Sequence, residues 1–282
     1  MRTIPSDAYA AEATESAVAH FGWTSVGILH SRDAYGNAYA EGLVSAWQGT
    51  DVETTSVGFS SGASSVGAGA DDGSIAAALD VLRRAGRRVI VLVCSDDDFV
   101  TLFPLATRLN MTGPDYAWIF SDSIEAETIE GFDDPDVVDG LVGAGKIFAA
   151  AYIPGDPVAE AIKDVYRSQN ESFYNERLKM TGQLLEDGFF GFGISLDHAI
   201  FAFDAVGALG IAACDARATD GPGLLEALYD VDARGASGRI LFDATTGSRD
   251  LRGSRFVIEN VVYADASNSS ATLVHELGQF GP

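Results

Sequence analysis

The sequence predicts an α/β fold built on a doubly wound, mostly parallel sheet, and two features of its first half indicate this. Four runs rich in β-forming residues alternate with segments of helical periodicity, and they cover residues 25–31, 51–59, 89–95 and 116–123. The run Val89–Ser95 is almost wholly apolar and lacks polar alternation, as expected of a parallel strand covered by helices on both faces. Parallel neighbours need crossovers of helical length, and the intervening segments provide them.

The segments between these runs carry apolar residues at helical spacing. Ser6 and Asp7 are the expected cap of the first helix. Ser60–Gly73, rich in Gly, Ser and Ala, is predicted to be a flexible loop before the third helix. The spacing predicts four helices, over 7–21, 35–47, 75–85 and 99–109.

The second half of the chain has a different pattern. An apolar run extends from Leu141 to Ile153, and a surface loop or irregular helix is expected over 170–188. Two β-rich runs near the end, Arg239–Asp243 and Arg255–Tyr263, are predicted to pair with each other across the turn region between them. Helices are predicted over 158–169, 194–213 and 223–229.

The charge balance excludes two classes of partner. The 282 residues include 18 Lys and Arg against 41 Asp and Glu, a net charge of −23. Nucleic acid and anionic membranes need a basic surface, so neither is an expected partner. The longest apolar stretch, Ala199–Ala213, is interrupted by Asp204 and falls short of the roughly 20 residues that span a bilayer. A buried helix is expected there.

Cysteines and asparagines carry two further signals. Cys94 and Cys214 stand alone in apolar sequence, so two buried free thiols are expected in preference to a disulfide, and no zinc-binding spacing exists. Three asparagines, Asn110, Asn170 and Asn268, open an Asn-X-Ser/Thr triplet, which supports exposure to the cell exterior.

Enzyme motifs are absent or incomplete. Residues 140–147, GLVGAGKI, resemble a phosphate loop, but Ile147 stands where Ser or Thr should hold magnesium, and Lys146 lies in a strand-like run. No G-x-G-x-x-G follows a strand, no G-x-S-x-G occurs, and the four histidines adjoin no obvious nucleophile. We therefore expect a non-enzymatic protein without a cofactor.

Two acidic clusters have structural explanations. Asp96, Asp97 and Asp98 follow a strand and are expected to cap the next helix rather than to bind a metal. The aspartates between 133 and 139 lack the Gly and closing Glu of a calcium loop, so a solvated acidic loop is expected.

In a doubly wound sheet, ligands bind beyond the carboxyl ends of the strands. Three segments of this chain occupy such ends: Ser31–Gly36, Cys94–Asp98 and Phe120–Ser123. They are the first places to look for a site.

Seven segments, in order, resemble the receptor-family ligand-binding region. This is the type I periplasmic-binding-protein fold of class C G-protein-coupled receptors, natriuretic peptide receptors and bacterial amino-acid-binding proteins. The last two segments resemble GABA-B-like members in particular. The segments are Arg2–Asp7, Phe21–Ser31, Asp33–Gly36, Val89–Ser95, Tyr116–Asp122, Ala202–Leu209 and Gly235–Arg249.

The resemblance implies a two-lobed, Venus-flytrap architecture. Residues 1–147 would form the main part of lobe 2, residues 148–250 the later part of lobe 1, and residues 251–282 a return to lobe 2. The opening βα units of lobe 1 in this family have no counterpart here, so we expect an N-terminally truncated sequence. The resemblance also implies homo- or heterodimers through lobe 1.

The resemblance also implies a function: the extracellular region of a membrane receptor, which binds a small amino-acid-like ligand by lobe closure and signals to a downstream segment. An extracytoplasmic solute-binding protein for amino-acid transport is the alternative. A cytoplasmic nucleotide-binding protein is a third hypothesis, and residues 140–147 are the only segment that supports it.

Candidate ligand-binding residues follow position by position from the resemblance. Asp7 and Asp122 match contacts to a ligand ammonium, and Tyr35 matches the tyrosine that packs on it; carboxylates with an aromatic face suit a cation. His198 falls where related receptors place a charged lobe 1 side chain, and Ser121 is a further candidate. The alternatives are that Asp7 caps a helix, that Tyr35 is a packing residue, and that His198 is a core or cap histidine.

Overall fold

The computed structural model describes residues 1–61, 72–150, 156–179, 185, 196–216, 220–264 and 270–280. Contacts divide the chain into two compact units. One, the sheet unit, comprises Ser6–Ala149 and Phe256–Gly281, and the other, the second unit, comprises Met1–Pro5 and Ala150–Arg255.

The sheet unit contains helices and strands in alternation. Its strands are β1 (Ser25–Ser31), β2 (Glu53–Phe59), β3 (Val89–Val93), β4 (Ala117–Phe120) and β5 (Gly145–Ala149), later joined by β8 (Phe256–Tyr263) and β9 (Ala271–Phe280). Its helices are α1 (Asp7–His20), α2 (Ala34–Ala46), α3 (Asp72–Arg84), α4 (Asp96–Arg108), α5 (Ala126–Glu130) and α6 (Pro135–Leu141).

The seven strands form one sheet in the order β2-β1-β3-β4-β5-β8-β9. The strands from β2 to β5 are parallel, whereas β8 runs antiparallel to β5 and β9 antiparallel to β8. Every residue of β3 is buried, as its continuous apolar sequence predicts. The predicted α/β fold with a mainly parallel sheet is confirmed.

Aromatic packing fixes the position of β4. Phe99 and Phe103 of α4 make edge-on ring contacts with Phe120 at 5.1 and 5.7 Å, and Phe103 contacts Trp118 at 5.5 Å. Full burial of each such ring stabilises the fold by roughly 1.5–3 kcal/mol. This packing fixes the end of β4, and with it the start of the segment Ser121–Ser123 that follows.

The acidic clusters both begin helices. Asp96, Asp97 and Asp98 form the first turn of α4, where their charges favour the helix N-terminus, but the expectation that they cap it is wrong. The cap is Ser95, whose hydroxyl accepts from the Asp98 N–H at 3.4 Å. The expectation of a solvated acidic loop over residues 133–139 is wrong from Pro135 onward, where helix α6 begins. Asp134 caps this helix by accepting from the Asp136 N–H at 3.0 Å. Pro135 favours a helix start because its fixed φ angle suits the first helical position.

The second unit contains four helices within its described residues: α7 (Pro157–Arg167), α8 (Glu171–Leu178), α9 (Leu196–Ala216) and α10 (Gly221–Tyr229). It also contains the strands β6 (Ala233–Gly235) and β7 (Gly238–Ile240), and a 3₁₀ turn at Leu251–Gly253. The helix α8 lies within the segment predicted to be a loop or irregular helix, and Asn170 caps it.

The predicted pairing of Arg239–Asp243 with Arg255–Tyr263 is wrong. Strand β7 pairs with β6 in a two-stranded hairpin, whereas β8 pairs with β5 and β9 of the large sheet. Gly238 has φ +102°, a conformation that glycine adopts without steric cost, and this allows the chain to reverse within four residues. The hairpin therefore forms locally, and β8 is left free for the other unit.

A buried polar network holds the second unit together. The carboxylate of Asp204, in α9, accepts from the main-chain N–H groups of Ala236 and Ser237 at 2.7 and 3.0 Å and from the Ser237 hydroxyl. That hydroxyl accepts in turn from Arg249, whose Nη1 lies 3.8 Å from Asp204 Oδ2. Arg249 also donates to the carbonyls of Thr3 and Gly253.

Burial lowers the pKa of Arg249 to about 10, and the charge of Asp204 opposes that shift. The guanidinium is therefore still protonated at neutral pH. The network ties the start of the chain, α9 and the hairpin to one buried charge pair, which explains the aspartate within the apolar stretch Ala199–Ala213.

Exposed ion pairs predict an acid-sensitive second unit. Arg239 donates to both carboxylate oxygens of Asp232, at 2.8 and 2.6 Å, and holds the pKa of Asp232 below its usual value. A lowered folded-state pKa contributes stability that is present above the unfolded pKa of about 3.8 and lost as pH falls through the folded pKa. We expect Arg239→Gln to destabilise the protein at pH 7 and to have no effect near pH 2.

Denaturant unfolding of the two proteins at pH 7 and pH 2 measures this difference. Arg177→Gln is the control, because Arg177 is an exposed arginine of the same unit that stacks on Phe173 and pairs with no carboxylate among the residues that the structure describes. If Arg239→Gln changed the free energy of unfolding by the same amount at both pH values, the Arg239–Asp232 pair would not be the source of the acid sensitivity.

The two cysteines are both free, but only Cys94 is buried, so the expectation of two buried thiols is wrong for Cys214, which is exposed. Burial and the charges of nearby aspartates raise the pKa of the Cys94 thiol. In the described part of the chain, no helix is both long and apolar enough to cross a bilayer.

Candidate functional site

The candidate site lies where β1 and β4 end, at the carboxyl edge of the sheet unit. Strands β1, β3 and β4 are neighbours in the sheet, so the segments that follow them emerge side by side. Tyr35, in the first turn of α2, donates its hydroxyl to Asp122 Oδ1 at 2.8 Å. The structure thus joins two residues that the sequence separates by 87 positions.

Hydroxyl groups surround this contact. The hydroxyls of Ser121 and Ser123, the residues on either side of Asp122, lie 3.1 Å apart and close to the Tyr35 hydroxyl. Ser123 also donates to the carbonyl of Cys94 at 2.6 Å, which ties the turn after β4 to the end of β3. Ser121 is buried, whereas Asp122 beside it is exposed.

Helix α1 adds a second carboxylate and supports a second tyrosine. Tyr39 is buried, its ring meets that of Tyr35 edge-on at 6.0 Å, and its hydroxyl lies 3.4 Å from Thr14 Oγ1. Burial raises the pKa of Tyr39, and the nearby charges of Asp122 and Asp7 add smaller contributions in the same direction. Asp7 is the first residue of α1, and the preceding cap residue Ser6 makes no side-chain cap bond.

A close backbone approach sets the position of Tyr35. A Cβ atom on Gly36 would lie 2.2 Å from the carbonyl oxygen of Ser31, so only glycine allows α2 to begin this close to β1. Asp33 caps α2 by accepting from the Gly36 N–H at 2.7 Å. The hydroxyl of Ser31 is buried and has no hydrogen-bond partner within the described residues.

The electrostatics of the site favour a cation. Burial, followed by the charge of Asp122, raises the pKa of Tyr35, so its phenol remains protonated and acts as a donor. Asp122 has no Lys or Arg within 4 Å among the residues that the structure describes, and its second oxygen accepts no hydrogen bond from them. An exposed carboxylate held beside an aromatic ring can bind an ammonium or guanidinium group.

Four of the five predicted site residues, Asp7, Tyr35, Ser121 and Asp122, lie in the sheet unit around Tyr39. The fifth, His198, is the third residue of α9 in the second unit, and its side chain is outside the described part of the structure.

Two residues that lie beside the Tyr35–Asp122 pair, Tyr39 and Ser123, were not among the site residues predicted from the sequence. Tyr39 could have been found, because it follows Tyr35 by four residues on a predicted helix and so lies on the same face. Ser123 ends the segment Phe120–Ser123, which the sequence already places at a strand end, but its contact with the Cys94 carbonyl depends on the backbone path after β4.

Lys146 is not part of a phosphate loop. It lies inside β5, is 7% exposed, and has its ammonium 5.3 Å from the centre of the Phe148 ring. A phosphate loop would place this lysine between a strand and a helix, with the main-chain N–H groups around it free. No cluster of metal-ligand side chains occurs among the described residues either.

A doubly wound sheet with polar side chains gathered at its carboxyl edge is the arrangement of a small-molecule-binding α/β protein. Comparison with known proteins gives the family. The family described as receptor family ligand binding region matches residues 1–262. The chain therefore belongs to this family, and the resemblance stated from its motifs is confirmed.

A relative of the chain is the metabotropic glutamate receptor-like protein E of Dictyostelium discoideum. The two are 28% identical over 293 residues, which include 100% of this chain and 31% of the relative. The chain thus spans about a third of the length of the relative.

Proposed function

We propose that the protein is the extracellular ligand-binding region of a membrane receptor. It binds a small amino-acid-like ligand between two lobes and, by their closure, signals to a segment further along the receptor. The protein acts by binding, without catalysing a reaction. Family membership supports the receptor class, and the name of the relative makes L-glutamate the first ligand to test.

The observation that carries the proposal is the Tyr35–Asp122 pair, 2.8 Å apart, at the carboxyl edge of the sheet. Asp122 presents one oxygen to Tyr35 and leaves the other for the ligand ammonium. The Tyr35 ring offers an aromatic face to the same cation, and the hydroxyls of Ser121 and Ser123 lie close to the phenol. Asp7 contributes a second negative charge nearby. We assign His198 the contact from the other lobe.

Asp122→Asn tests the proposal, because it preserves the shape of the side chain and removes the charge. Asp122 is exposed, so its replacement should change the free energy of unfolding by less than about 0.5 kcal/mol. Losing a charged hydrogen bond to the ligand should weaken binding at least about tenfold. The measurement is the shift in melting temperature produced by L-glutamate, γ-aminobutyrate and each standard amino acid.

Asp97→Asn is the matched control. Asp97 is an exposed aspartate at the same edge, in the first turn of α4, and makes none of the contacts described for the site. We expect the control to keep the ligand response and Asp122→Asn to lose it. An unaltered response in Asp122→Asn would remove Asp122 from the site.

The solute-binding protein for transport remains the second candidate, since it would use the same site with a different downstream partner. Sequencing both ends of the transcript separates the two: a receptor has one or more membrane spans after the binding region, and a transport protein has a lipoprotein or secretion signal alone.

A further inference from the structure

The Asn-X-Ser/Thr triplets lie outside the candidate ligand site and are potential acceptors for N-linked oligosaccharides. Asn110 is followed by Met111 and Thr112, and Asn170 by Glu171 and Ser172. The third triplet, at Asn268, lies outside the described residues. Such a triplet is the acceptor for an N-linked oligosaccharide when a chain enters the secretory pathway.

Asn110 lies where helix α4 ends. Leu109 is the C-cap, and Asn110 follows it with φ +54°. The Asn110 N–H donates to the Thr107 carbonyl and the Met111 N–H to the Ala106 carbonyl, both at 2.9 Å. This is the Schellman pattern, in which the main chain alone completes the helix end.

Because main-chain hydrogen bonds complete the helix end, the Asn110 side chain is not needed to cap it. It is exposed, and its amide makes no hydrogen bond within the described residues. Asn170 differs, since its side-chain oxygen accepts from the Ser172 N–H at 2.8 Å and caps α8. Of the two described asparagines that open such a triplet, Asn110 is therefore the one whose side chain makes no contact that glycosylation would break.

A polar cavity of about 510 Å³ adjoins Asn110. Its lining includes Thr107, Thr112, Asp134, Asp136 and Asp139. Carboxylates accept hydrogen bonds from sugar hydroxyls, and threonine hydroxyls both donate and accept them. The first sugar attached to Asn110 would therefore have hydrogen-bond partners on the protein surface.

We propose that Asn110 carries an N-linked oligosaccharide, an inference that rests on the proposed extracellular location. The donor is an oligosaccharide joined through a diphosphate to a membrane lipid. The bond from the anomeric carbon to the diphosphate oxygen breaks, and the lipid diphosphate leaves with its electron pair. The same carbon bonds to Asn110 Nδ2, which loses one proton. Transfer occurs on the unfolded chain, so the partial burial of Thr112 after folding does not prevent it.

The test is expression of the full chain behind a cleavable secretion signal in glycosylating eukaryotic cells. Secreted and cell-retained protein are both treated with peptide N-glycosidase in ¹⁸O-water, which converts a glycosylated Asn to ¹⁸O-labelled Asp. We expect label at Asn110 in the wild type and in Thr112→Ser, which keeps the triplet. Thr112→Ala should lose the label and the mass of one glycan.

Asn110→Gly should lose the glycan and keep the stability of the helix end, because glycine is favoured at this position. An unlabelled Asn110 in both fractions would overturn the assignment, even where amino acids still stabilise the protein through Asp122. A labelled Asn110 in a protein that no amino acid stabilises would support the assignment and count against the proposed ligand.

Discussion

Replacing Asp204 by alanine is expected to lower the free energy of unfolding of the second unit by about 3–5 kcal/mol. The carboxylate is buried and accepts from two main-chain N–H groups and the Ser237 hydroxyl. Its removal leaves these donors without an acceptor and the buried Arg249 guanidinium without its counter-charge. Such losses cost more than a single exchanged hydrogen bond, because water cannot replace the missing partner.

Two optical probes can separate the units in this experiment. The three tryptophans, Trp23, Trp47 and Trp118, all lie in the sheet unit, so their fluorescence follows that unit. Far-ultraviolet circular dichroism also includes the helices of the second unit. In denaturant, Asp204→Ala should shift the circular dichroism transition more than the fluorescence transition.

Asp220→Ala is the control for this variant. Asp220 caps α10 from an exposed position by accepting from the Gly223 N–H at 2.8 Å, and loss of such a cap costs about 1 kcal/mol. If Asp204→Ala were no more destabilising than this control, the buried network would not have the role assigned to it. The double variant Asp204→Leu/Arg249→Met should recover only part of the loss, since the N–H groups of Ala236 and Ser237 stay unpaired.

Gly36→Ala is expected to destabilise the sheet unit by about 3 kcal/mol, at the upper end of the usual cost of overpacking. The added methyl group would lie 2.2 Å from the Ser31 carbonyl oxygen and 2.5 Å from the Ser31 hydroxyl. The carbonyl belongs to a strand held by neighbours on both sides, so the start of α2 must move instead. That movement carries Tyr35 away from Asp122.

Gly42→Ala tests whether the effect is specific to the close approach. Gly42 lies in the same helix, and its added Cβ would meet the Ala11 side chain at 3.3 Å. A gain in helix propensity of up to about 1 kcal/mol should offset this milder contact. We expect tryptophan fluorescence to report a lower unfolding midpoint for Gly36→Ala and a nearly unchanged one for Gly42→Ala. Equal midpoints for the two variants would show that α2 tolerates the methyl group.

The local sequence pattern was sufficient to predict the parallel strands of the sheet. Strand β1 occupies the predicted residues, Ser25–Ser31, because an apolar run bounded by two helical patterns has few other structures available. Strand β9 was not predicted, since His275, Glu276 and Gln279 interrupt its pattern and it forms by pairing with β8. Pairing between distant segments leaves little trace in either of them.

The candidate site was predictable to a similar extent. The rule that ligands bind at the carboxyl ends of strands predicted a site at this edge of the sheet, and the family resemblance selected Tyr35 and Asp122 within it. The hydrogen bond between them could not be read from the sequence, because it depends on the Gly36–Ser31 approach and on the packing that fixes β4.

The discontinuous sheet has a consequence for synthesis on the ribosome. Strand β5 is made well before β8, its antiparallel neighbour, and the chain of the second unit, Ala150–Arg255, is made between them. At about 5–20 residues per second, that interval lasts roughly 5–20 s. During it the nascent sheet ends at β5, with a row of unpaired main-chain groups open to other chains. Lys146, buried in the finished sheet, places a positive charge on that open edge, where charge opposes association with a second strand.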